Sequence, residues 1–182
     1  MHQLYLIKHI LGEPNSECLA EIYVEKEIEL NPSIIISLDR IITVLENVQI
    51  KNEKIDNLRK IGENTYCIVD DNYIDPITGK NISYQIIKKI NSCEHVYEIR
   101  FTSFVSGIIR NCRIFFTFNS KKNYTLWTHG FTKTRRVSNY YGKTANELTN
   151  FLSNLAEFIY KNINSNSDEQ YIGKEGEEHE VR

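Results

Sequence analysis

Nowhere in its 182 residues does the chain hold a run of eighteen apolar side chains, so no membrane span is expected. The first nine residues lack the charged start and long apolar stretch of a secretory leader, and a cytoplasmic location is the expectation. Cysteine is scarce. Cys18, Cys67, Cys93 and Cys112 lie 49, 26 and 19 residues apart, none forms a CxxC pair, and no histidine stands at a zinc-type spacing from two of them. Reduced, partly buried thiols are expected rather than a disulfide framework or a metal site.

Net charge is also nearly absent, at −2, but the near-neutrality is a cancellation. The stretch from Lys80 to Lys143 holds twelve Lys or Arg and only two acids, Glu94 and Glu98. Met1 to Gly79 carries fourteen acids against seven bases, and Thr144 to Arg182 eight against three. A basic module between acidic flanks attracts polyanions over a Debye length of about 8 Å at physiological salt. A phosphate backbone is its natural partner, through counterion release. The competing reading is that the acidic flanks fold back and neutralise the basic face.

Periodicity organises the rest. Residues 18–30 place Ala20, Ile22 and Val24 on one side and Glu21, Tyr23 and Glu25 on the other, which predicts a half-buried strand. After Asn31-Pro32, the residues Ile34, Leu38, Ile41, Ile42, Leu45 and Val48 recur at steps of three and four and predict a helix over 33–48. Ile55, Leu58 and Ile61 predict a second, short helix over 53–61, stopped by Gly62. Residues 65–69 read as a strand, 70–80 as an exposed loop, and 83–90 as either strand or helix. Strands follow at 95–102, 112–119 and 124–131, with Gly107–Asn111 at a turn and a polar loop over 119–123, so an antiparallel meander is expected. Thr144 and Glu147 fit a capping box ahead of a helix striped by Leu148, Phe151, Leu152, Leu155 and Ile159. The acidic tail over 164–182 has too little apolar surface to fold.

Three segments in order, Val96-Tyr97-Glu98-Ile99-Arg100-Phe101, Cys112-Arg113-Ile114-Phe115-Phe116 and Leu126-Trp127-Thr128-His129-Gly130-Phe131-Thr132-Lys133, resemble the RelE/ParE/HigB toxin superfamily, in its phage-derived Gp49-like branch. The likeness spans residues 88 to 160. It implies an α+β fold: a small twisted antiparallel sheet with two N-terminal helices on one face and a C-terminal helix. The domain would run over 18–163 with an insertion near 66–90, after an N-terminal extension at 1–17. The resemblance further implies a ribosome-dependent endoribonuclease that cuts messenger RNA and is held inactive by a cognate antitoxin protein. The gyrase-inhibiting branch of the same scaffold, and a non-catalytic nucleic-acid-binding module, are the alternatives. The chain departs from the pattern at Thr134, where the family has a second lysine, and at Val137-Ser138, where it has Thr-Pro.

Cleaving RNA through its own 2′-hydroxyl needs a base, a proton donor for the leaving oxygen, and cations for the charge that builds on phosphorus. Arg and Lys supply that charge without metal or cofactor. Arg100 and Arg113 fall on adjacent predicted strands, where they either project together toward phosphate or pair with Glu94 or Glu98. Lys133, Arg135 and Arg136 follow, either closing the rim as phosphate grips or standing as solvated charges. His129 is the acid–base candidate, against a structural histidine sharing a core-like face with Trp127 and Phe131. Lys121, Lys122 and Tyr140 complete the RNA-binding set, the tyrosine as a stacking platform or a packing residue.

Overall fold

The computed structural model of the protein describes residues 3–6, 19–119, 124–134 and 142–165. Strand β1 (Gln3–Leu6) precedes helices α1 (Leu19–Leu30) and α2 (Ile34–Glu46). Six further strands, β4 (Arg59–Gly62), β5 (Thr65–Ile74), β6 (Asn81–Lys89), β7 (Tyr97–Val105), β8 (Ile108–Asn119) and β9 (Tyr124–Thr134), join β1 in one sheet. Strands β2 (Ile50–Lys51) and β3 (Lys54–Ile55) form a separate hairpin, and α3 (Ala145–Ser165) ends the described chain.

The sheet order is β1-β9-β8-β7-β6-β5-β4, antiparallel throughout except that β1 runs parallel to β9. This corrects the expected fold class. Among the described residues strand outweighs helix, and the main sheet has seven strands rather than the few of a small antiparallel sheet. The segment read as loop and undecided structure supplies part of the difference, and β1 and β4 the remainder. β5 continues through the expected loop to Ile74, and only residues 75–80 turn, with Asp75 accepting from Ile77 N at 3.1 Å and Thr78 Oγ1 at 2.6 Å.

Two further elements differ from expectation. Residues 19–30 are helical, not extended, because Ala20, Tyr23, Val24 and Glu27 also form a three- and four-step face, and the face wins by packing on β9. A buried carboxylate at Glu27 hid that period from the sequence. Residues 53–61 are not a helix. Asn52 and Glu53 hold φ of 50° and 59°, which closes the β2–β3 hairpin and breaks any helical run, after which 59–62 extends as an edge strand. Among the described residues two N-terminal helices do share one face, but they are 19–30 and 34–46.

The register fixes two faces. Tyr97, Ile99, Phe101, Cys112, Ile114, Phe116 and Phe118 pack with Ala20, Ile34, Leu38, Ile41 and Leu45 under α1 and α2. Phe115 and Phe131 turn the other way, onto Leu148 and Ala156 of α3. The capping box forms as expected. Thr144 N donates to Glu147 Oε2 at 2.7 Å and Glu147 N to Thr144 Oγ1 at 3.3 Å. The helix runs on to Ser165, into the start of the segment expected to be unfolded.

Gly130 serves close packing. A Cβ there would fall within 2.6 Å of three atoms of the Tyr23 ring, whose hydroxyl is hydrogen-bonded to Phe131 O at 3.2 Å and Thr132 Oγ1 at 2.9 Å. Gly130→Ala should cost about 1–3 kcal/mol in urea unfolding by forcing the ring aside. Combining it with Tyr23→Leu should return part of that loss, and equal losses in the single and double variants would refute the contact as its origin.

Candidate nucleic-acid interface

Arg100 and Arg113 are direct cross-strand partners of β7 and β8 and point to the α3 side of the sheet. Like charges directly opposite one another repel. Glu98, two residues before Arg100 on the same face, stands between them: its Oε1 lies 3.2 Å from Arg113 Nε and its Oε2 3.8 Å from Arg100 Nε. Gln85 of β6 accepts from Arg100 Nη1 at 2.9 Å. Two guanidinium groups thus share one carboxylate and leave an excess of positive charge. The side chains of Arg100 and Arg113 are 23% and 12% exposed, so part of each is held in a low-dielectric setting. Arg113 Nη1 and Arg100 Nε are buried with no hydrogen-bond acceptor. Unsatisfied buried donors are costly, and only the exposed part of each side chain is open to an anion from solvent.

The neighbouring rows extend the face. Lys133 of β9 pairs in register with Asn111, and its side chain is exposed on the Arg113 side. Lys88 stands opposite Glu98 on β6. Further along, Phe104 and Ile109 pair across β7 and β8 and are 39% and 38% exposed. Arginine, lysine and an accessible aromatic therefore follow one another on the part of the face next to α3.

His129 lies on this face as well, opposite Phe115, but it is sealed. It is 4% exposed, neither ring nitrogen has a hydrogen-bond partner, and burial pushes its pKa down to about 4. It is a neutral imidazole at neutral pH, with no accessible nitrogen for proton transfer and no backbone bond of the kind expected of a structural histidine. The expectation that it shares a face with Trp127 is corrected. An extra residue, Thr128, interrupts the β8–β9 register between Phe115 and Phe116, so Trp127 faces α1 and α2 while His129 and Phe131 face α3.

Lys121, Lys122, Arg135, Arg136 and Tyr140 lie outside the described residues. The other cations of the basic stretch are dispersed. Arg110 turns to the opposite face and meets buried Glu27, through Nε at 3.1 Å and Nη2 at 2.5 Å. Lys89 donates to the carbonyls of Cys93 and Glu94, at 2.5 and 2.7 Å, and its pKa is lowered mainly by burial. The acidic flank therefore neutralises the basic segment at Arg110, on the face away from Arg100 and Arg113. Cys67, Cys93 and Cys112 are buried free thiols, and burial pushes Cys112 up to about 12, which keeps it protonated and unreactive. Among the described residues no three His, Cys, Asp or Glu side chains are grouped to hold a metal ion. No described helix is long and apolar enough to cross a membrane.

Gln85 and Lys88 escaped the sequence reading because their segment was undecided between strand and helix, and strand pairing is what brings them beside Arg100. Glu98 was visible in the sequence as a partner for the arginines. No family model, curated protein or solved structure matches the chain.

Proposed function

We propose that the chain is an RNA-binding protein that grips the phosphodiester backbone on the sheet face beside α3. The observation that carries this reading is the cross-strand pair Arg100 and Arg113, two guanidinium groups that share one carboxylate and whose side chains are partly exposed. Lys133 adds a solvated charge one row away, and Phe104 offers a ring for a base to stack on. No acid–base pair is needed for this activity.

A second reading is the toxin-class messenger-RNA endoribonuclease, acting on the ribosome and restrained by an antitoxin. The order of the three motifs supports it. So does Glu98, a carboxylate between two arginines, which is the group a 2′-hydroxyl needs for deprotonation next to a stabilised phosphate.

Binding to a fluorescent single-stranded RNA, followed across a salt series, tests the first reading. Arg113→Ala and Arg100→Ala should each weaken affinity by roughly 10- to 100-fold, the value of a charge-assisted contact. Lys133→Ala should weaken it less and flatten the salt slope by about 0.7, one phosphate contact on a single strand. Salt-insensitive binding, or unchanged binding by folded Arg113→Ala protein, would defeat the proposal. Induced expression then separates the two readings. Growth arrest with cut transcripts, relieved by Arg113→Ala, establishes the endoribonuclease. Intact transcripts with RNA binding retained leave the binding module, and inhibition of gyrase by the purified protein without RNA binding would support the remaining branch of the scaffold.

A further inference from the structure

Helix α3 is apolar on two sides. Leu148, Ala156, Ile159 and Ile163 are buried against the sheet. Roughly opposite them run Glu147, Phe151, Asn154, Phe158 and Lys161, all exposed. At 3.6 residues per turn these five fall within an arc of about 80° along about 21 Å of helix. Their steps of four, three, four and three are the spacing by which one helix meets another along a seam. Phe151 is 54% and Phe158 56% exposed, although the helix already buries its other side.

The order of residue types along this stripe reads as its own complement: acid, phenylalanine, asparagine, phenylalanine, base. We propose that α3 pairs with α3 of a second copy of the chain, antiparallel about a two-fold axis near Asn154. In that arrangement Phe151 meets Phe158 of the other copy, and Glu147 meets Lys161. The reverse, parallel pairing sets Glu147 against Glu147 and Lys161 against Lys161, which like-charge repulsion disfavours. A two-fold axis needs only one self-complementary patch, which this stripe supplies. Glu147 retains its charge while it caps Thr144, because its carboxylate accepts those hydrogen bonds in the ionised form, and its pKa is lowered chiefly by the Thr144 backbone bond. The interface rests on two phenylalanines per copy, so it sits at the small, weak end of protein contacts, with a dissociation constant on the order of 10 µM. It goes beyond RNA binding and does not depend on it.

Sedimentation velocity on the full chain, from about a tenth to ten times that constant, reads the association. The wild type should pass from monomer to dimer, and Phe158→Glu, which alters an exposed side chain, should stay monomeric at every concentration. Orientation is read by oxidative cross-linking. A mixture of Phe151→Cys and Phe158→Cys proteins should form the mixed disulfide dimer, while Phe158→Cys alone should cross-link slowly. A wild type that is monomeric at the highest concentration, a Phe158→Glu protein that still dimerises, or self-linking of Phe158→Cys as fast as mixed linking would each overturn the proposal.

Discussion

Glu27→Ala should lower the unfolding free energy by about 3–5 kcal/mol, which is the cost of stranding a buried charge. Glu27 is 2% exposed in the last turn of α1 and accepts from Arg110 Nε and Nη2 and from Thr132 Oγ1, the last at 2.5 Å. Its removal leaves Arg110 with an uncompensated guanidinium at the α1–sheet boundary. The hydrogen bond from Arg110 to Glu27 is the main reason the arginine's pKa is raised. Domains of this size hold only about 5–15 kcal/mol in total, so the substitution should leave a visible unfolded fraction at 37 °C. The double variant Glu27→Leu with Arg110→Met removes both charges and keeps apolar volume, and it should recover most of the loss. Urea unfolding of Glu27→Leu, Arg110→Met and the double variant closes the cycle. A double variant no more stable than Glu27→Ala would show that the pair is not what joins α1 to the sheet.

His129 should make the fold acid-sensitive in a window where carboxylates are still ionised. Its folded pKa, about 4, lies below the ordinary 6.5. As pH falls through 6.5 the unfolded chain takes up a proton that the folded chain refuses, so stability declines with falling pH. The decline ends near pH 4, where the folded imidazole also protonates. The span corresponds to about 3 kcal/mol. Asp70 acts lower. Its pKa is pushed below 3.8, chiefly by hydrogen bonds from Arg40, so its contribution is present above that range and is lost only as pH falls beneath it. Urea midpoints measured from pH 7 to pH 4 should therefore fall for the wild type and stay nearly level for His129→Phe. Parallel declines in both proteins would assign the effect to other groups. The same measurement bears on mechanism, since a histidine that stays neutral until the pH nears 4 and is closed to solvent is poorly placed to donate a proton to a leaving oxygen.

Several parts of this protein are written locally in its sequence. Alternation places three strands at 95–102, 112–119 and 124–131; they form as 97–105, 108–119 and 124–134, with residues 108–111 of the expected turn paired in β8, and α2 follows from a three- and four-step apolar face. The start of α3 follows from Thr144 and Glu147 alone, because a capping box needs only four consecutive residues. That a basic module stands between acidic flanks is likewise composition.

The tertiary structure decided the rest. Residues 19–30 satisfied both a strand and a helix pattern until packing on β9 selected the helix and hid Glu27 inside it. Residues 53–61 carried three apolar side chains at helical spacing, and a left-handed turn at Asn52 and Glu53 overrode them. Four described cations of the basic stretch were sent to different places, Arg110 into a buried pair on one face, Lys89 onto backbone carbonyls, and Arg100 and Arg113 to the other face. A single added residue at Thr128 sent His129 and Trp127 to opposite sides. Each of these outcomes depends on strand register or helix docking, and both are set by contacts between residues far apart in the chain, which no local period records.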